Sequence, residues 1–491
     1  MSSTGLGELD RRRYGVFETP VWVFREYIAP RIRDYLYDFV WVDMFCGSGN
    51  LILPMLEMVP AGERDDFFRK HIFMYDIIPE MVEKSVENAV RYGVSRETAS
   101  KNIRVRDSLK DYPTEIFRLG KPVFHITNPP YMYLGYIKKN RWLHFWLEYF
   151  EGDNEGYQDL YQLALANDLR HGVEKMIYVI PTNFLYGASV SNKIREDLLK
   201  HYFIREAIVF ERKLFEFTGQ HVGVFFFERK SEPGHETQRF RLVKIGSKSI
   251  VRDVVIEPKN RYRAGTGFEE FVERYKSSKP VRVEFYLYVD EIYRNPGEYR
   301  VVAVDSNKYN GREYEKRVFY VNRELYEKIR NNILFVKTLD GVSESERAGL
   351  YVVREVYNAD CIVVSRAPYR THPIQLFFKP QLAIEDQLLL KEYFNLVLEY
   401  LRETTDSEFM TTYKYADTTF TRKYLGLTQV RKLIETFPIL ELDREEKKRL
   451  REAIEKRDIE RLIKHLENLR NQRQKHSQKQ NHQRSREDPL D

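Results

Sequence analysis

The stretch Val40–Asn50, which reads VWVDMFCGSGN, decides the fold. An apolar run that ends in a glycine-rich turn and then opens a helix is typical of the first strand of a doubly wound α/β sheet. A glycine turn at the carboxyl end of such a strand lets a ligand approach the backbone closely. The stretch lacks the GxxxxGK[ST] pattern, so the sequence disfavours a triphosphate-binding loop.

The sequence on either side continues the alternation of strands and helices. Over about the first 230 residues, short apolar runs alternate with longer amphipathic ones, which predicts a mostly parallel, Rossmann-like sheet. Little sequence separates the last two runs, so we expect an antiparallel pair at the edge of the sheet. The predicted strands are Phe39–Phe45, His71–Tyr75, Ile103–Val105, Val123–Thr127, Met176–Ile180, Glu206–Phe210 and Val222–Glu228, and the predicted helices are Asn50–Met58 and Pro79–Tyr92.

Length and composition indicate a globular protein of more than one domain. The chain has 491 residues, of which 42% are apolar and 31% charged, and its net charge of +6 is too small to indicate a polyanionic partner. Two cysteines exclude a disulfide framework and a cysteine-built zinc site, and no metal ligands are predicted. We find no signal peptide and no apolar run long enough for a bilayer, and therefore expect a cytoplasmic protein without a membrane partner.

The pattern changes after about residue 245. We predict a catalytic domain at 1–245, a mixed α+β domain at 246–440, and a charged helix with a basic tail at 441–491, disordered from Gln472. The second domain is rich in aromatic residues. Its predicted strands are Val281–Val289, Tyr299–Val304, Arg317–Val321, Gly349–Val353 and Asp360–Val364, and the predicted helices of this half are Glu324–Asn331, Gln387–Arg402, Thr428–Thr436 and Asp443–Arg470.

Two acidic residues follow strands that neighbour the glycine turn. Asp76 ends the second strand, where it can accept hydrogen bonds from a ribose diol, and Asp107 follows the third, where it can receive a purine amine. A glycine turn, a ribose acid and an adenine acid in this order indicate a cofactor that carries a nucleoside. Taken singly, either aspartate could instead cap a helix.

The tetrapeptide Asn128-Pro129-Pro130-Tyr131 follows the fourth strand. The nitrogen of a planar amino group is a poor nucleophile because its lone pair is delocalised. Hydrogen bonds from both of its N–H groups, to the Asn128 side-chain oxygen and the Pro129 carbonyl, favour a pyramidal nitrogen, and stacking on Tyr131 fixes the plane. The alternative is a structural X-Pro-Pro turn.

These features resemble the motifs of the γ class of N6-adenine DNA methyltransferases, which use S-adenosylmethionine. The similarity covers residues 14–230 in eight ordered motifs. They are Tyr14–Pro20, Asp43–Asn50, Asp76, Asp107, Asn128–Tyr131, Gln158–Tyr161, Tyr178–Leu185 and Phe215–Val222. One departure is Phe45, which replaces a residue that is usually small in the second of these motifs.

The resemblance implies a role for each matching residue. The catalytic residues are Asn128, Pro129, Tyr131 and Phe215, whose ring stacks on the flipped adenine from the face opposite Tyr131 and fits this role better than Phe217. The residues implied to bind S-adenosylmethionine are Thr19, Pro20, Asp43, Phe45, Gly47, Gly49, Asp76, Asp107, Ser108 and Asn128.

The resemblance also implies a target-recognition domain that contacts double-stranded DNA and ends near Phe437-Pro438-Ile439. Basic and aromatic residues are mixed at Arg366–His372, Tyr413–Tyr415 and Arg422–Tyr424, a composition that suits phosphate contacts and groove readout. Core tyrosines beside a solvated face are the alternative. We expect the modification enzyme of a restriction system with a separately encoded endonuclease, and the tail is either a dimerisation helix or a phosphate-binding arm.

Other classes of protein fit the sequence less well. An RNA N6-adenine methyltransferase stays open, since unpaired bases need no flipping. A protein glutamine N5-methyltransferase also uses Asn-Pro-Pro-Tyr but does not need so large a downstream domain. A cytosine-C5 enzyme needs a cysteine after proline, which neither Cys46 nor Cys361 provides. No motif for a fused nuclease is found, and the intact tetrapeptide disfavours a catalytically inactive binding module.

Overall fold

The structure is a computed structural model that describes residues 17–211, 214–215, 221–246, 248–343, 346–365, 372–412 and 422–487, with side chains as far as residue 475. It divides into two compact units, Met1–Ala264 and Gly265–Asp491. Parts of the sequence predictions lie outside the described residues: 14–16 of the first motif, 216–220 of the last, 366–371, and Tyr413–Tyr415. Among the described helices, none combines the length and apolar character that a membrane crossing requires.

A nine-stranded sheet forms the centre of the first unit. Its strands are β1 Val40–Asp43, β2 Ile72–Asp76, β3 Ile103–Val105, β4 Val123–Thr127, β5 Lys175–Pro181, β6 Tyr202–Phe210, β7 Val222–Arg229, β8 Gln238–Ile245 and β9 Ser249–Ile256, in the order β3-β2-β1-β4-β5-β7-β6-β8-β9. Strands β1 to β5 pair in parallel, and β7 is antiparallel to both β5 and β6. This arrangement confirms the predicted doubly wound α/β fold.

The helices of this unit connect and cover the strands. The chain is helical over Val21–Val23, Phe24–Ile28, Ala29–Ile32 and Arg33–Tyr35, and the α-helices that follow are Arg64–His71, Pro79–Arg91, Arg96–Asn102, Leu134–Lys139, Leu160–His171, Asn183–Tyr186 and Asn192–Leu199. The 3-10 segments include Leu53–Met58, Thr114–Arg118 and Arg141–Phe150. The predicted α-helix at Asn50–Met58 is therefore wrong in type, because Pro54 lacks the N–H that an α-helix needs in its interior.

The predicted edge of the sheet also differs from the structure. Strands β6 and β7 are antiparallel as predicted, but β8 pairs in parallel with β6, and β9 pairs with β8. The first unit consequently ends at Ala264, later than the predicted boundary at residue 245. Exposed and half-buried residues alternate along Ser249–Ile256, as expected for a strand at the edge of a sheet. This segment was assigned to the second domain because the sequence that follows it is rich in aromatic residues.

The second unit is mixed α+β, as predicted. Its sheets have the orders β10-β16-β13-β14, β12-β11-β15 and β17-β18. The strands are β10 Arg282–Phe285, β11 Pro296–Tyr309, β12 Tyr314–Val321, β13 Leu334–Lys337, β14 Gly349–Val352, β15 Cys361–Val363, β16 Ile374–Lys379, β17 Thr411–Thr412 and β18 Lys423–Tyr424. The helices are Gly267–Arg274, Val289–Arg294, Arg323–Arg330, Val353–Tyr357, Ile384–Thr404, Leu427–Ile434, Arg444–Glu455 and Ile459–Glu487.

Three predictions for this unit need correction. Val281–Val289 is not one strand, because Tyr286 adopts a positive φ of 76° after β10. The single helix predicted at Asp443–Arg470 is two helices, separated where Arg457 adopts a positive φ of 52°. The segment after Gln472 continues as helix to Glu487 rather than being disordered, since it contains no glycine or proline. Leu450 and Leu462 of these helices join the core of the unit instead of forming a separate tail.

A buried hydrogen-bond network lies beneath the parallel strands. His125 accepts a hydrogen bond on Nε2 from the Met44 backbone N–H at 3.2 Å, so its Nδ1 carries the proton and donates to Asp168 at 2.6 Å. The hydroxyls of Tyr112 and Tyr178 also donate to the Asp168 carboxylate, at 2.8 and 2.6 Å. One carboxylate thereby satisfies three buried donors.

We expect Asp168→Ala to lower the free energy of unfolding of the first unit by about 3 to 5 kcal/mol, because it leaves three buried donors without an acceptor. All four tryptophans, Trp22, Trp41, Trp142 and Trp146, lie in this unit, so urea unfolding followed by tryptophan fluorescence reports on it alone. Asp153→Ala, at an exposed aspartate, is the control. Equal midpoints for the two variants would show that the network does not stabilise the unit.

Candidate active site

A pocket opens at the carboxyl ends of the parallel strands. Because β3, β2, β1 and β4 are neighbours, the residues that end or follow them meet at one edge of the sheet. The predicted residues on its walls are Thr19, Asp43, Phe45, Gly47, Asp76, Asp107, Ser108 and Asn128. Pro20 and Gly49, which were also predicted to bind the cofactor, do not line it.

Asp76 holds the glycine turn against the start of a helix. Its Oδ2 accepts a hydrogen bond from the Gly47 backbone N–H at 2.8 Å, and its Oδ1 accepts one from Ile78 at 2.9 Å. Ile78 is the residue before the helix Pro79–Arg91, so this hydrogen bond forms an Asx turn that leads into the helix and is not a side-chain cap of it. It leaves further lone pairs on both oxygens for a ligand hydroxyl. Burial raises the pKa of Asp76 to about 6, against the lowering effect of these backbone hydrogen bonds.

Asp43 connects the glycine turn to the strand that carries the tetrapeptide. Its Oδ1 accepts a hydrogen bond from the Thr127 hydroxyl at 2.7 Å and one from the Phe45 backbone N–H at 3.1 Å. Burial raises the pKa of Asp43 to about 6, and the Thr127 hydrogen bond opposes that shift. Asp43 is therefore a buried acid on the pocket wall whose charge changes near pH 6.

Asp107 is held by a residue that the sequence did not single out. Its Oδ2 accepts a hydrogen bond from the Tyr149 hydroxyl at 2.6 Å, and its Oδ1 accepts one from the Leu109 backbone N–H at 3.2 Å. The buried ring of Trp146 packs on Tyr149, at 4.8 Å between centroids, and lines the pocket. The aromatic run WLHFWLEYF at 142–150 was the available signal for this wall, but it contains no recognisable motif.

The amide of Asn128 has a fixed orientation. Its Nδ2 donates to the Phe17 carbonyl at 2.5 Å and to the Thr19 hydroxyl at 3.0 Å. The side-chain oxygen is thereby turned to the other side, where it accepts a hydrogen bond from the Tyr131 hydroxyl. Asn128 thus presents an acceptor on the side away from Phe17 and Thr19, as the predicted chemistry requires.

The hydroxyl of Tyr131 has two acceptors and one proton. Besides Asn128 it faces the Val179 carbonyl at 2.5 Å. Donation to Val179 leaves the Asn128 oxygen free for another donor, and the tyrosine stays satisfied. The acceptor of Asn128 is therefore available to a ligand without leaving a buried donor unpaired.

Three aromatic rings fill the space beside the tetrapeptide. Phe17 stacks on Tyr131 with centroids 5.6 Å apart and lies 5.5 Å from Phe215, while Tyr131 and Phe215 are 6.3 Å apart and tilted by 48°. A flat group between two rings needs about 7 Å, twice the carbon contact distance of ~3.5 Å. Tyr131 and Phe215 are thus adjacent, but the rings must move before a base can stack between them. Pro129, which lies two residues before Tyr131 in the sequence, is also buried.

The two glycines of the turn are constrained for different reasons. Both have positive φ, +53° at Gly47 and +85° at Gly49. A Cβ at Gly47 meets no atom within 4 Å, whereas one at Gly49 would lie 2.8 Å from Leu53 Cγ and 3.1 Å from Met74 Cε. Gly47 therefore needs its backbone conformation only, and Gly49 needs both the conformation and the absence of a side chain.

We expect Gly47→Ala to cost about 1 to 2 kcal/mol through the left-handed conformation alone. Gly49→Ala should cost about 2 to 5 kcal/mol, because overpacking adds about 1 to 3 kcal/mol. Urea unfolding followed by tryptophan fluorescence compares the matched pair. A Gly47 variant as unstable as the Gly49 variant would contradict the difference in packing.

The pocket therefore lies beside an amide side chain of fixed orientation. The chain belongs to the N-6 DNA Methylase family, whose sequence model matches residues 8–284, more than half of its length. This membership confirms the family that the motifs predicted. Among curated proteins, none matches the chain.

Solved structures are similar to the chain at low sequence identity. The type IIL restriction-modification enzyme MmeI, solved in complex with DNA, is 12% identical, with a TM-score of 0.50 over 95% of this chain and 76% of that one. The type IIG restriction endonuclease BpuSI has 13% identity, a TM-score of 0.42, and coverage of 91% and 62%. A modification subunit of a putative type I restriction enzyme from Vibrio vulnificus YJ016 has 18% identity, a TM-score of 0.36, and coverage of 68% and 58%. The chain thus spans less than two thirds of the last two proteins.

Proposed function

We propose that the protein transfers a methyl group from S-adenosylmethionine to N6 of an adenine extruded from double-stranded DNA. The observation that carries this proposal is the fixed amide of Asn128, whose oxygen faces Tyr131 beside a pocket lined by the carboxylate of Asp76. The match to MmeI, a restriction-modification enzyme solved with DNA, supports a role as the modification enzyme of such a system. A separately encoded endonuclease is the partner that this role implies.

The residues of the pocket fit S-adenosylmethionine. Asp76 has lone pairs for the ribose hydroxyls, and Asp107, fixed by Tyr149, stands where a purine amine can donate to it. Trp146 offers an apolar wall for the adenine, and Asp43 is a further acid on the wall of the pocket. When bound, this cofactor supplies an electrophilic methyl group at a sulfonium centre.

The loop Asn128–Tyr131, here called the catalytic loop, acts on the amine of the target base. The Asn128 oxygen and the Pro129 carbonyl accept its two N–H groups, which directs the nitrogen lone pair out of the base plane. The Tyr131 hydroxyl moves fully to the Val179 carbonyl as the amine takes its place on Asn128. Tyr131 and Phe215 then stack on the two faces of the base, and such extrusion is required because N6 is not reachable inside a duplex.

The second unit supplies target recognition in this proposal. Extruding one particular adenine requires contacts that read the bases around it, and these need surface beyond the catalytic sheet. The predicted basic and aromatic stretch Arg422–Tyr424 does not add to that surface, because Lys423 in strand β18 is buried and paired with Glu408 at 3.4 Å. We propose the unit Gly265–Asp491 as the target-recognition domain.

Sequencing plasmid DNA for N6-methyladenine after expression of the full chain tests the proposal. Methyladenine at one recurring sequence context is the expected result. Modified RNA or a methylated glutamine in its place would assign the site to another substrate, and each is read from the same cells by mass spectrometry. An unmodified plasmid with a methylated RNA would overturn the DNA assignment.

We expect Asn128→Ala to lower kcat by about 100-fold or more, because one preorganised contact to the reacting group is lost. The cofactor Kd should change much less, since Asp76 and Asp107 keep their partners. Initial rates with tritiated S-adenosylmethionine, together with calorimetric titration, separate the two effects. Asn260→Ala, in a partly exposed turn, is the control. Near-normal kcat in the Asn128 variant would remove Asn128 from the reaction.

We expect cofactor affinity to fall as pH is lowered through about 6, where the raised pKa values of Asp76 and Asp43 place their protonation. A protonated carboxyl accepts ribose hydroxyls less well than a carboxylate, so binding favours the deprotonated form. The Asp76→Asn variant should bind the cofactor weakly, and its affinity should depend less on pH. The pH dependence that remains is due to Asp43. Calorimetric titration between pH 5 and 8 measures both; an unchanged pH dependence in the variant would contradict the role of Asp76.

A further inference from the structure

A surface segment directly after the catalytic loop combines exposed aromatic rings with positive charge. The segment Tyr133–Phe145, here called the aromatic–basic segment, reads YLGYIKKNRWLHF and contains no acidic residue. Four of its rings are exposed: Tyr133 43%, Tyr136 46%, Trp142 45% and Phe145 38%. So many large rings exposed within one short stretch indicate a binding surface.

The positive charges of this segment are not neutralised locally. Lys138, Lys139 and Arg141 are exposed, and none of them has a carboxylate within ion-pair distance among the described residues. Most other basic side chains near the pocket are paired, such as Arg106 with Asp111 and Glu115. The aromatic–basic segment therefore offers three free cations among four rings.

The segment is held firmly by its other face. Ile137 and Leu143 are fully buried in the core of the first unit. Near its start, the backbone N–H of Leu134 donates to the Gln158 carbonyl at 2.9 Å, and that of Met132, just before the segment, donates to Asp159 Oδ1 at 2.8 Å. The exposed rings are consequently presented by a fixed scaffold rather than by a loose loop.

The position of the segment relates it to the reaction. It begins two residues after Tyr131, which stacks on the target base in the proposed function, and it ends one residue before Trp146, which lines the cofactor pocket. A substrate whose reacting base lies on Tyr131 must pass its neighbouring nucleotides near this stretch. The natural ligand of rings interleaved with cations is a nucleic acid strand, since bases stack on the rings and phosphates pair with the cations.

We propose that the aromatic–basic segment binds the DNA next to the extruded adenine. Lys138, Lys139 and Arg141 contact phosphates, and Tyr136 and Trp142 stack on bases that lose a neighbour when the adenine leaves the duplex. This proposal rests on the proposed function and adds a docking surface in the catalytic unit, separate from target recognition by the second unit.

The charge arm of the test uses the full chain and a short mixed-sequence DNA duplex, with fluorescence anisotropy at several salt concentrations. The triple variant Lys138→Ala, Lys139→Ala, Arg141→Ala should reduce the magnitude of the slope of log K against log salt by about 2 to 3, one unit per lost phosphate contact. The control removes the same charge with Arg118→Ala, Lys121→Ala and Lys200→Ala. These exposed residues precede β4 and β6, at the opposite edge of the sheet from the pocket.

The ring arm uses the double variant Tyr136→Ala, Trp142→Ala. It should weaken DNA binding by about 10-fold or more and leave the salt slope unchanged, because stacking releases no counterions. Calorimetric titration with S-adenosylmethionine verifies that each variant is folded and keeps the pocket.

Two results would overturn the proposal. One is a charge variant that binds the cofactor normally and has the salt slope of the wild type. The other is a ring variant that keeps its DNA affinity but changes its mass in solution, which would make the segment an interface between two copies of the chain. Failure of the proposed function is a separate result, because it would appear as wild-type protein that binds DNA without methylating it.

Discussion

The site depends on the hydrogen bond between the Thr127 hydroxyl and Asp43 Oδ1, 2.7 Å long and fully buried. Asp43 ends β1, where the glycine turn begins, and Thr127 ends β4, where the catalytic loop begins. Parallel pairing of these strands brings both ends to the same edge, and the hydrogen bond fixes one loop against the other. A methyl transfer needs donor and acceptor in line within a fraction of an ångström, so a buried tie between the two loops is what the chemistry demands.

The polar side chains of the proposed catalytic loop are paired with one another and with neighbouring groups. An unpaired amide oxygen or tyrosine hydroxyl in this buried region would cost about 1 to 3 kcal/mol. The chain avoids that cost by pairing Asn128 with Tyr131 and by packing Phe17 against both Tyr131 and Phe215. Because Tyr131 also reaches the Val179 carbonyl, a base amine can replace one hydrogen bond by another. In the proposed reaction, selectivity for an amine follows, since a carbonyl at that position would face the Asn128 oxygen with no proton between them.

How much the sequence could predict depends on whether the deciding contact is local. Strands Ile103–Val105 and Val123–Thr127 were predicted residue for residue, because both are rich in β-branched residues and are followed by polar ones. Asp76 and Asn128 could be placed because strand ends in a parallel sheet meet. Tyr149 could not, since nothing local shows that its hydroxyl reaches Asp107, 42 residues away. Phe17 was visible in a motif, but its packing on Tyr131 spans more than a hundred residues.

The stretch from Tyr131 to Tyr149 shows how one continuous segment serves several tasks at once. Tyr131 belongs to the catalytic loop, the rings that follow face solvent, and Trp146 and Tyr149 close the pocket around Asp107. The side chains of Ile137 and Leu143 are buried in the core, so the exposed residues of this stretch and those that line the pocket are held by the same packing. A cofactor that orders Trp146 and a duplex that orders Trp142 would therefore stabilise the same conformation. Each ligand then lowers the ordering cost that remains for the other, which requires positive coupling between the two sites.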